Sequence, residues 1–204
     1  MIIDRLTDAI RETKNPVCVG LDTDFSYLPE EMREGVDTPE GAAEAILTFN
    51  RGIIRTIADI VPSVKVQIAY YEKYGAAGMA CFAETLKLAK AAGLFVIADA
   101  KRNDIGSTMQ AYAKAHLGVS EVNGKELSAF GSDMLTVNGY LGSDGIEPLL
   151  PICDEKDKGI FVLVKTSNPS SGELQDQKIG DKSIYETMGA MCEQWGEKTQ
   201  NSYG

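Results

Sequence analysis

The chain has 204 residues, enough to bury a sizeable core, and its 44% hydrophobic and 25% charged residues are those of an ordinary globular protein. A net charge of −10 and a pI of about 4.7 exclude a broad nucleic-acid-binding face, which needs a basic patch, but leave room for a local cluster that holds a small anion. One histidine, His116, nearly excludes histidine-based triads and multi-histidine metal sites, so acid–base work falls to Asp, Glu, Lys or Tyr.

Residues 3–13 read as a short opening helix, and Pro16 to Asp22 as a first buried strand ending in a carboxylate. A polar loop covers 23–37. Thr38 then has the character of an N-cap with Pro39 at the first helical position. Ala43, Ile46, Leu47, Ile53, Ile54, Ile57 and Ile60 follow at helical spacing, which predicts a long amphipathic helix to about residue 60. Ser63-Val-Lys-Val-Gln-Ile68 is the second strand. Tyr70, Tyr71 and Tyr74 come next, in a loop or first turn, and simple packing is their expected role. A helix over 77–92 carries Met79, Phe82, Leu86 and Ala89 on its core side. The third strand, 94–99, opens the stretch Phe95-Val-Ile-Ala-Asp-Ala-Lys-Arg-Asn-Asp104. Asp104-Ile-Gly-Ser-Thr108 starts the next helix, with His116 on its surface or at its end. Met134–Asn138 is a fourth strand and a short helix follows near 144–152. Gly159–Lys165 is a fifth strand, 168–182 a long polar loop with lid character, and a last helix presents Ile184, Met188, Met191 and Trp195 on one face.

Five strand–helix alternations without a composition shift predict a single α/β domain over 1–204 with a parallel sheet. Cys18, Cys81, Cys153 and Cys192 are widely spaced, so buried reduced thiols are expected rather than a zinc site or disulfides. No apolar run approaches the roughly 20 residues of a membrane span, and Met1-Ile-Ile-Asp-Arg5 has no signal-peptide pattern; a cytoplasmic location is the expectation.

The chemistry concentrates at strand ends. Side chains alternate along a strand, so Asp99 and Lys101 are expected on one face, with Asp104 three residues on. Alone, each has a plain reading: an ion pair in solvent for Asp99 and Lys101, a helix cap for Asp104, an exposed sheet edge for Lys65. Asp22, Lys65 and the Asp99/Lys101 pair all terminate predicted strands, however. In a (β/α) barrel the carboxyl ends of the strands converge on one mouth, where these groups meet.

Asp99-Ala-Lys101-Arg-Asn-Asp104-Ile-Gly-Ser-Thr108 closely resembles the D-x-K-x-x-D signature of the orotidine 5′-phosphate decarboxylases. Gly20-Leu-Asp22, Val64-Lys65-Val-Gln67 and Lys165-Thr-Ser-Asn-Pro-Ser-Ser-Gly-Glu-Leu-Gln-Asp-Gln177 are similar to further strand-end segments of that family, the last to its longer bacterial branch. The resemblance implies a TIM (β/α)8 barrel, with about five β/α units in this chain, and a cofactor-free, metal-free conversion of orotidine 5′-monophosphate to uridine 5′-monophosphate. It implies Lys101 as proton donor to carbon 6, Asp99 against the substrate carboxylate, and Lys65 holding the ribose and completing the charged array. It further implies Asp22 on a ribose hydroxyl, Ser167 on the pyrimidine amide, and Asp104 and Thr108 reaching into the site of a second subunit of a homodimer. Strands six to eight, with the phosphate-gripping arginine and a glutamine-bearing loop, would follow Gly204, and the 204 residues alone are expected to be inactive. The competing readings are a magnesium-dependent decarboxylase of the same suprafamily, acting on 3-keto-gulonate 6-phosphate, and a non-catalytic phosphosugar- or nucleotide-binding module. Thr166-Ser167 favours orotidylate over the first, and the intact Asp99/Lys101 pair disfavours the second.

Overall fold

The computed structural model describes residues 1–197; residues 198–204 of the expected domain lie outside them. Helix α1 (Ile2–Thr13) precedes strand β1 (Cys18–Gly20), and after α2 (Glu30–Arg33) the long α3 (Pro39–Ile57) leads to β2 (Ser63–Gln67). Thr38 does cap α3, its hydroxyl accepting from the Gly41 amide at 3.1 Å. The next stretch comprises α4 (Ala69–Glu72), α5 (Gly75–Ala91), β3 (Phe95–Arg102) and α6 (Gly106–His116). A hairpin of β4 (Ser120–Val122) and β5 (Lys125–Leu127) comes before β6 (Met134–Asn138), α7 (Leu150–Lys156) and β7 (Gly159–Leu163). A second small hairpin, β8 (Lys178–Ile179) and β9 (Lys182–Ser183), leads into α8 (Ile184–Gly196).

The main sheet has the order β1-β2-β3-β6-β7, and every pair in it is parallel. Each strand lies beside its predecessor, with no reversal of order as in a doubly wound sheet. That is the progression of a (β/α) barrel wall, and five β/α units of it are present. No helix among the described residues is long and apolar enough to cross a membrane.

Period-two alternation sorts the side chains of the wall. Val64, Val66, Val96, Ala98, Leu135 and Val137 belong to the main core, packed with Phe82 and Leu86 of α5 and Ile46 and Ile54 of α3. The opposite face of the same strands carries Phe95, Ile97 and Met134, which cluster with Ile2 at the start of α1. The inner face is thus apolar at the amino ends of the strands. It becomes polar at their carboxyl ends, where the next residues in step are Lys65, Gln67, Asp99 and Thr136.

Several sequence expectations change. The first strand is shorter than Pro16–Asp22 and is not buried. β1 has no neighbour on its outer side among the described residues, and Cys18 is exposed there. Of the four free thiols only Cys81 is fully buried, and Cys153 and Cys192 are half-buried. His116 does end its helix, but it is 2% exposed rather than on the surface, because the segment 128–133 folds back over it: Phe130 stacks on its ring at 4.8 Å and Ser132 bonds its carbonyl. The short helix expected at 144–152 is a 3-10 turn at Gly142–Gly145 followed by α7 six residues downstream of the predicted start, where Pro151 suits a first helical turn. The long loop at 168–182 is largely structured, with a 3-10 turn at Pro169–Glu173 and the β8–β9 hairpin.

A candidate active site at the carboxyl ends of the strands

Asp99 is the hub. Parallel pairing sets it opposite Gln67, and its carboxylate, only 5% exposed, accepts four hydrogen bonds. On Oδ2 the donors are Lys65 Nζ at 2.9 Å and Gln67 Nε2 at 2.9 Å. On Oδ1 they are Lys101 Nζ at 2.6 Å and the Thr136 hydroxyl at 2.8 Å. Lys65 also donates to Asp22 Oδ1 at 3.2 Å. The result is an alternating row, Asp22–Lys65–Asp99–Lys101, drawn from β2, β3 and the turn after β1. Asp99 is sunk in the floor, while the side chains of Lys101 and Asp22 remain 45% and 44% exposed at the mouth.

Burial disfavours charge on both central groups, and the pairing reverses it. Desolvation would raise the Asp99 carboxyl, but the bonds from Lys101, Lys65 and Thr136 outweigh it and hold the pKa below the usual aspartate value. Desolvation would likewise lower the Lys65 ammonium, but Asp99 and then Asp22 outweigh it and raise its pKa. Both groups are charged at neutral pH.

Asp99 and Lys101 come together as expected, though not by simple alternation. Register with β6 runs from Ala98 opposite Leu135 to Arg102 opposite Val137, so four steps along β3 match two along β6. The surplus is taken up at Lys101, whose φ of 48° lies in the left-handed region that costs a residue with a Cβ about 1 kcal/mol or more. Its amide donates to Thr136 Oγ1 at 3.0 Å. For Lys65 the exposed-edge reading fails: β2 lies between β1 and β3, and the side chain enters the cluster.

Asp22 is held through its neighbours. The Leu21 carbonyl accepts from Tyr71 Oη at 3.3 Å, and the Thr23 hydroxyl donates at 2.6 Å to Asn50, whose amide in turn donates to Tyr71. Tyr71 therefore packs, as expected, but also pins the turn that presents Asp22.

The remaining predicted residues stand apart from the cluster within one chain. Asp104 does not cap α6; among the described residues its carboxylate accepts only from the adjacent Ile105 amide, at 2.8 Å, and Thr108 is exposed on the first turn. Ser167 is exposed in the segment after β7. Its neighbour Thr166 is forked by Gln175, which accepts from its amide at 2.8 Å and donates to its hydroxyl at 2.7 Å. The sequence reading assigned no role to Gln67, Thr136 or Gln175. The first two continue the inward face of their strands, but nothing in the local pattern marks a glutamine or a threonine there as functional.

A groove of about 410 Å³ lies elsewhere, lined by Ile160, Val162, Cys192 and Trp195 among others and by none of the predicted site residues. It is the open flank of the sheet beside β7.

Residues 15–197 match the model of the family described as "Orotidine 5'-phosphate decarboxylase / HUMPS family". The chain is 46% identical over 186 residues to an orotidine 5′-phosphate decarboxylase of Rhodopirellula baltica, covering 90% of this chain and 61% of that protein. It is 42% identical over 205 residues to the enzyme of the same name from Clostridium novyi, covering 100% and 67%. Among solved structures, the OMP decarboxylase of Leishmania donovani superposes with a TM-score of 0.75 at 28% identity, covering 96% of this chain and 66% of that one. The chain thus spans about two thirds of the length of these relatives.

Proposed function

The chain belongs to the orotidine 5′-phosphate decarboxylase / HUMPS family, and from that premise we propose that it carries the charge cluster that converts orotidine 5′-monophosphate to uridine 5′-monophosphate. The observation that carries this reading is a buried carboxylate, Asp99, held between two ammonium groups at the mouth of a barrel wall. A binding module gains nothing from a fixed anion facing an anionic substrate. A decarboxylase does, because the repelled group leaves as neutral CO2.

In the proposed step the bond from carbon 6 of the pyrimidine to the carboxyl carbon breaks and CO2 departs. The electron pair stays on carbon 6 as a vinyl carbanion, with no adjacent carbonyl to delocalise it. The Lys101 ammonium offsets that charge and then gives carbon 6 its proton, and the neutral amine regains a proton from solvent. Asp99 stresses the ground state and, itself anchored by Lys65, keeps Lys101 aimed. Because these charges are already in place, little reorganisation accompanies the reaction. Asp22 takes a ribose hydroxyl, Lys65 the ribose, and Ser167 the pyrimidine amide. Asp104 and Thr108, which make no hydrogen bond or ion pair with the cluster among the described residues, are assigned to a partner's site in a homodimer. No cofactor has a part in this scheme. Four free thiols fit a reducing cytoplasmic setting.

The test is orotidylate turnover followed by ultraviolet absorbance in the presence of a chelator, for the whole polypeptide that carries these residues and for its Lys101→Ala variant. The expected outcome is turnover that survives the chelator and falls by about 10³-fold or more in the variant, the scale of losing both the proton donor and the charge. Turnover that the chelator abolishes points to the metal-dependent chemistry of the suprafamily and refutes the scheme. So does a Lys101→Ala variant with unaltered kcat.

A further inference from the structure

We propose that Thr136 is the positioning residue for the Asp99–Lys101 pair, its hydroxyl locking the β3–β6 seam in the bulged form that aims both side chains at one point; this rests on the function proposed above.

Two observations meet at this side chain. First, its Oγ1 bridges two strand positions. It donates to Asp99 Oδ1 at 2.8 Å and accepts from the Lys101 amide at 3.0 Å, so a single hydroxyl touches the side chain of one residue and the backbone of the other. Second, the backbone there is the strained part of the sheet. Lys101 is left-handed at φ 48°, and the ladder to β6 is broken between Ala98 and Arg102. A bulge leaves amides without ladder partners, and an orphaned amide beside a buried carboxylate is costly. Thr136 supplies the missing acceptor.

Thr136 does not reach the exposed Lys101 ammonium itself; it acts through Asp99 and the backbone. Without the hydroxyl, Asp99 Oδ1 keeps only Lys101 and the Lys101 amide has no partner. The β3 backbone is then free to relax towards regular register. Ordinary alternation would leave Lys101 on the same face, but no longer drawn onto the Asp99 oxygen by the kink. The groups facing Asp99 are Lys65 and Gln67 from β2, Lys101 from β3 and Thr136 from β6, with Asp22 behind Lys65. Of these, Gln67 and Thr136 are the neutral donors, removable without changing the charge of the site, and Thr136 is the one that also holds the Lys101 amide.

The experiment compares Thr136→Val, Thr136→Ala and Thr136→Ser with the unsubstituted protein, each in the whole polypeptide that carries these residues, by orotidylate kinetics and by a carbon-13 NMR titration of the Asp99 carboxyl. The expected result for Thr136→Val and Thr136→Ala is a kcat lower by about tenfold or more with KM within about threefold, and an Asp99 titration displaced upward. Thr136→Ser, which keeps the hydroxyl, should restore both readouts. Wild-type kcat and titration in Thr136→Val overturn the proposal. So does a Thr136→Ser variant as impaired as Thr136→Val, because the methyl group rather than the hydroxyl would then matter. Should Thr136→Val fail to fold, Thr136→Ala decides, since it removes the hydroxyl without adding a branch. A wild type that does not decarboxylate orotidylate sinks the proposed function alone; the Asp99 titration still separates the hydroxyl-bearing from the hydroxyl-free variants.

Discussion

Acidification should loosen this fold through His116 before the buried Asp99 carboxylate titrates. The ring is 2% exposed, lies 4.8 Å from Phe130 and has no partner on Nδ1 among the described residues. Burial, and then the nearby Arg102 guanidinium, lower its pKa from 6.5 to about 4. The folded chain therefore keeps the ring neutral where the unfolded chain already binds a proton. When the unfolded state binds more protons, stability rises with pH, so the loss sets in as pH falls below about 6.5 and is complete near 4. With about 1.4 kcal/mol for each pH unit of separation, the full penalty is about 3 kcal/mol, and about 2 kcal/mol of it has appeared by pH 5. Urea unfolding at pH 7.5 and pH 5.0 measures it, with His116→Leu as comparison, a side chain of similar bulk without a titrating nitrogen. Wild type should lose about 2 kcal/mol more than the variant between the two pH values. Equal losses would refute the assignment, since the other groups are common to both proteins.

Two further outcomes follow from close packing and buried charge. A Cβ built on Gly78 of α5 falls 1.8 Å from the Tyr71 carbonyl oxygen, a backbone atom that cannot swing away. Gly78→Ala should therefore cost about 3 kcal/mol and lower Tm by about 6–12 °C in a scanning calorimeter; an unchanged Tm contradicts the packing described. At the amino ends of the strands, buried Asp133 accepts from Lys90 at 3.1 Å, Lys158 at 3.2 Å and the Val96 amide at 3.1 Å. Asp133→Ala should destabilise by about 3–5 kcal/mol in urea unfolding, because it strands the nearly buried Lys158 beside Lys90, and a loss under about 1 kcal/mol would show the trio to be dispensable.

The sequence was most readable where one physical rule governed a whole segment. The apolar rows of α3 and α5 announce their helices, and the short β-branched runs 63–67 and 134–138 announce their strands, because burial on one side enforces a period. Local turn chemistry was legible too but was passed over at Asn123-Gly124. Both residues adopt positive φ, at 50° and 76°, and close the β4–β5 hairpin in the unassigned segment 117–133. What the sequence concealed depends on contacts between distant residues. His116 reads as a helix-end residue until the return of Phe130 and Ser132 buries it. Cys18 reads as core until β1 is seen to have no outer neighbour among the described residues.

The candidate site divides along the same line. Asp22, Lys65, Asp99 and Lys101 could be picked out because charge at the end of an apolar run contradicts the local pattern, and such contradictions concentrate at functional sites. Thr136 and Gln67 could not be picked out that way. A threonine or glutamine in a half-buried strand violates nothing, and its importance comes only from the strand beside it. Register supplies that information: Gln67 lies opposite Asp99, and the bulge slides Thr136 into reach of both Asp99 and the Lys101 amide. The same bulge shows why alternation along one strand was an insufficient account of the Asp99–Lys101 pair. An Asp-x-Lys on a regular strand places two side chains on one face, pointing the same way with their backbones some 7 Å apart. Bringing an ammonium to 2.6 Å from the carboxylate while leaving it 45% exposed here involves a left-handed residue, and a left-handed lysine needs a neighbouring strand to hold it. The charges of the site are thus written in β3, but their geometry is written in β6.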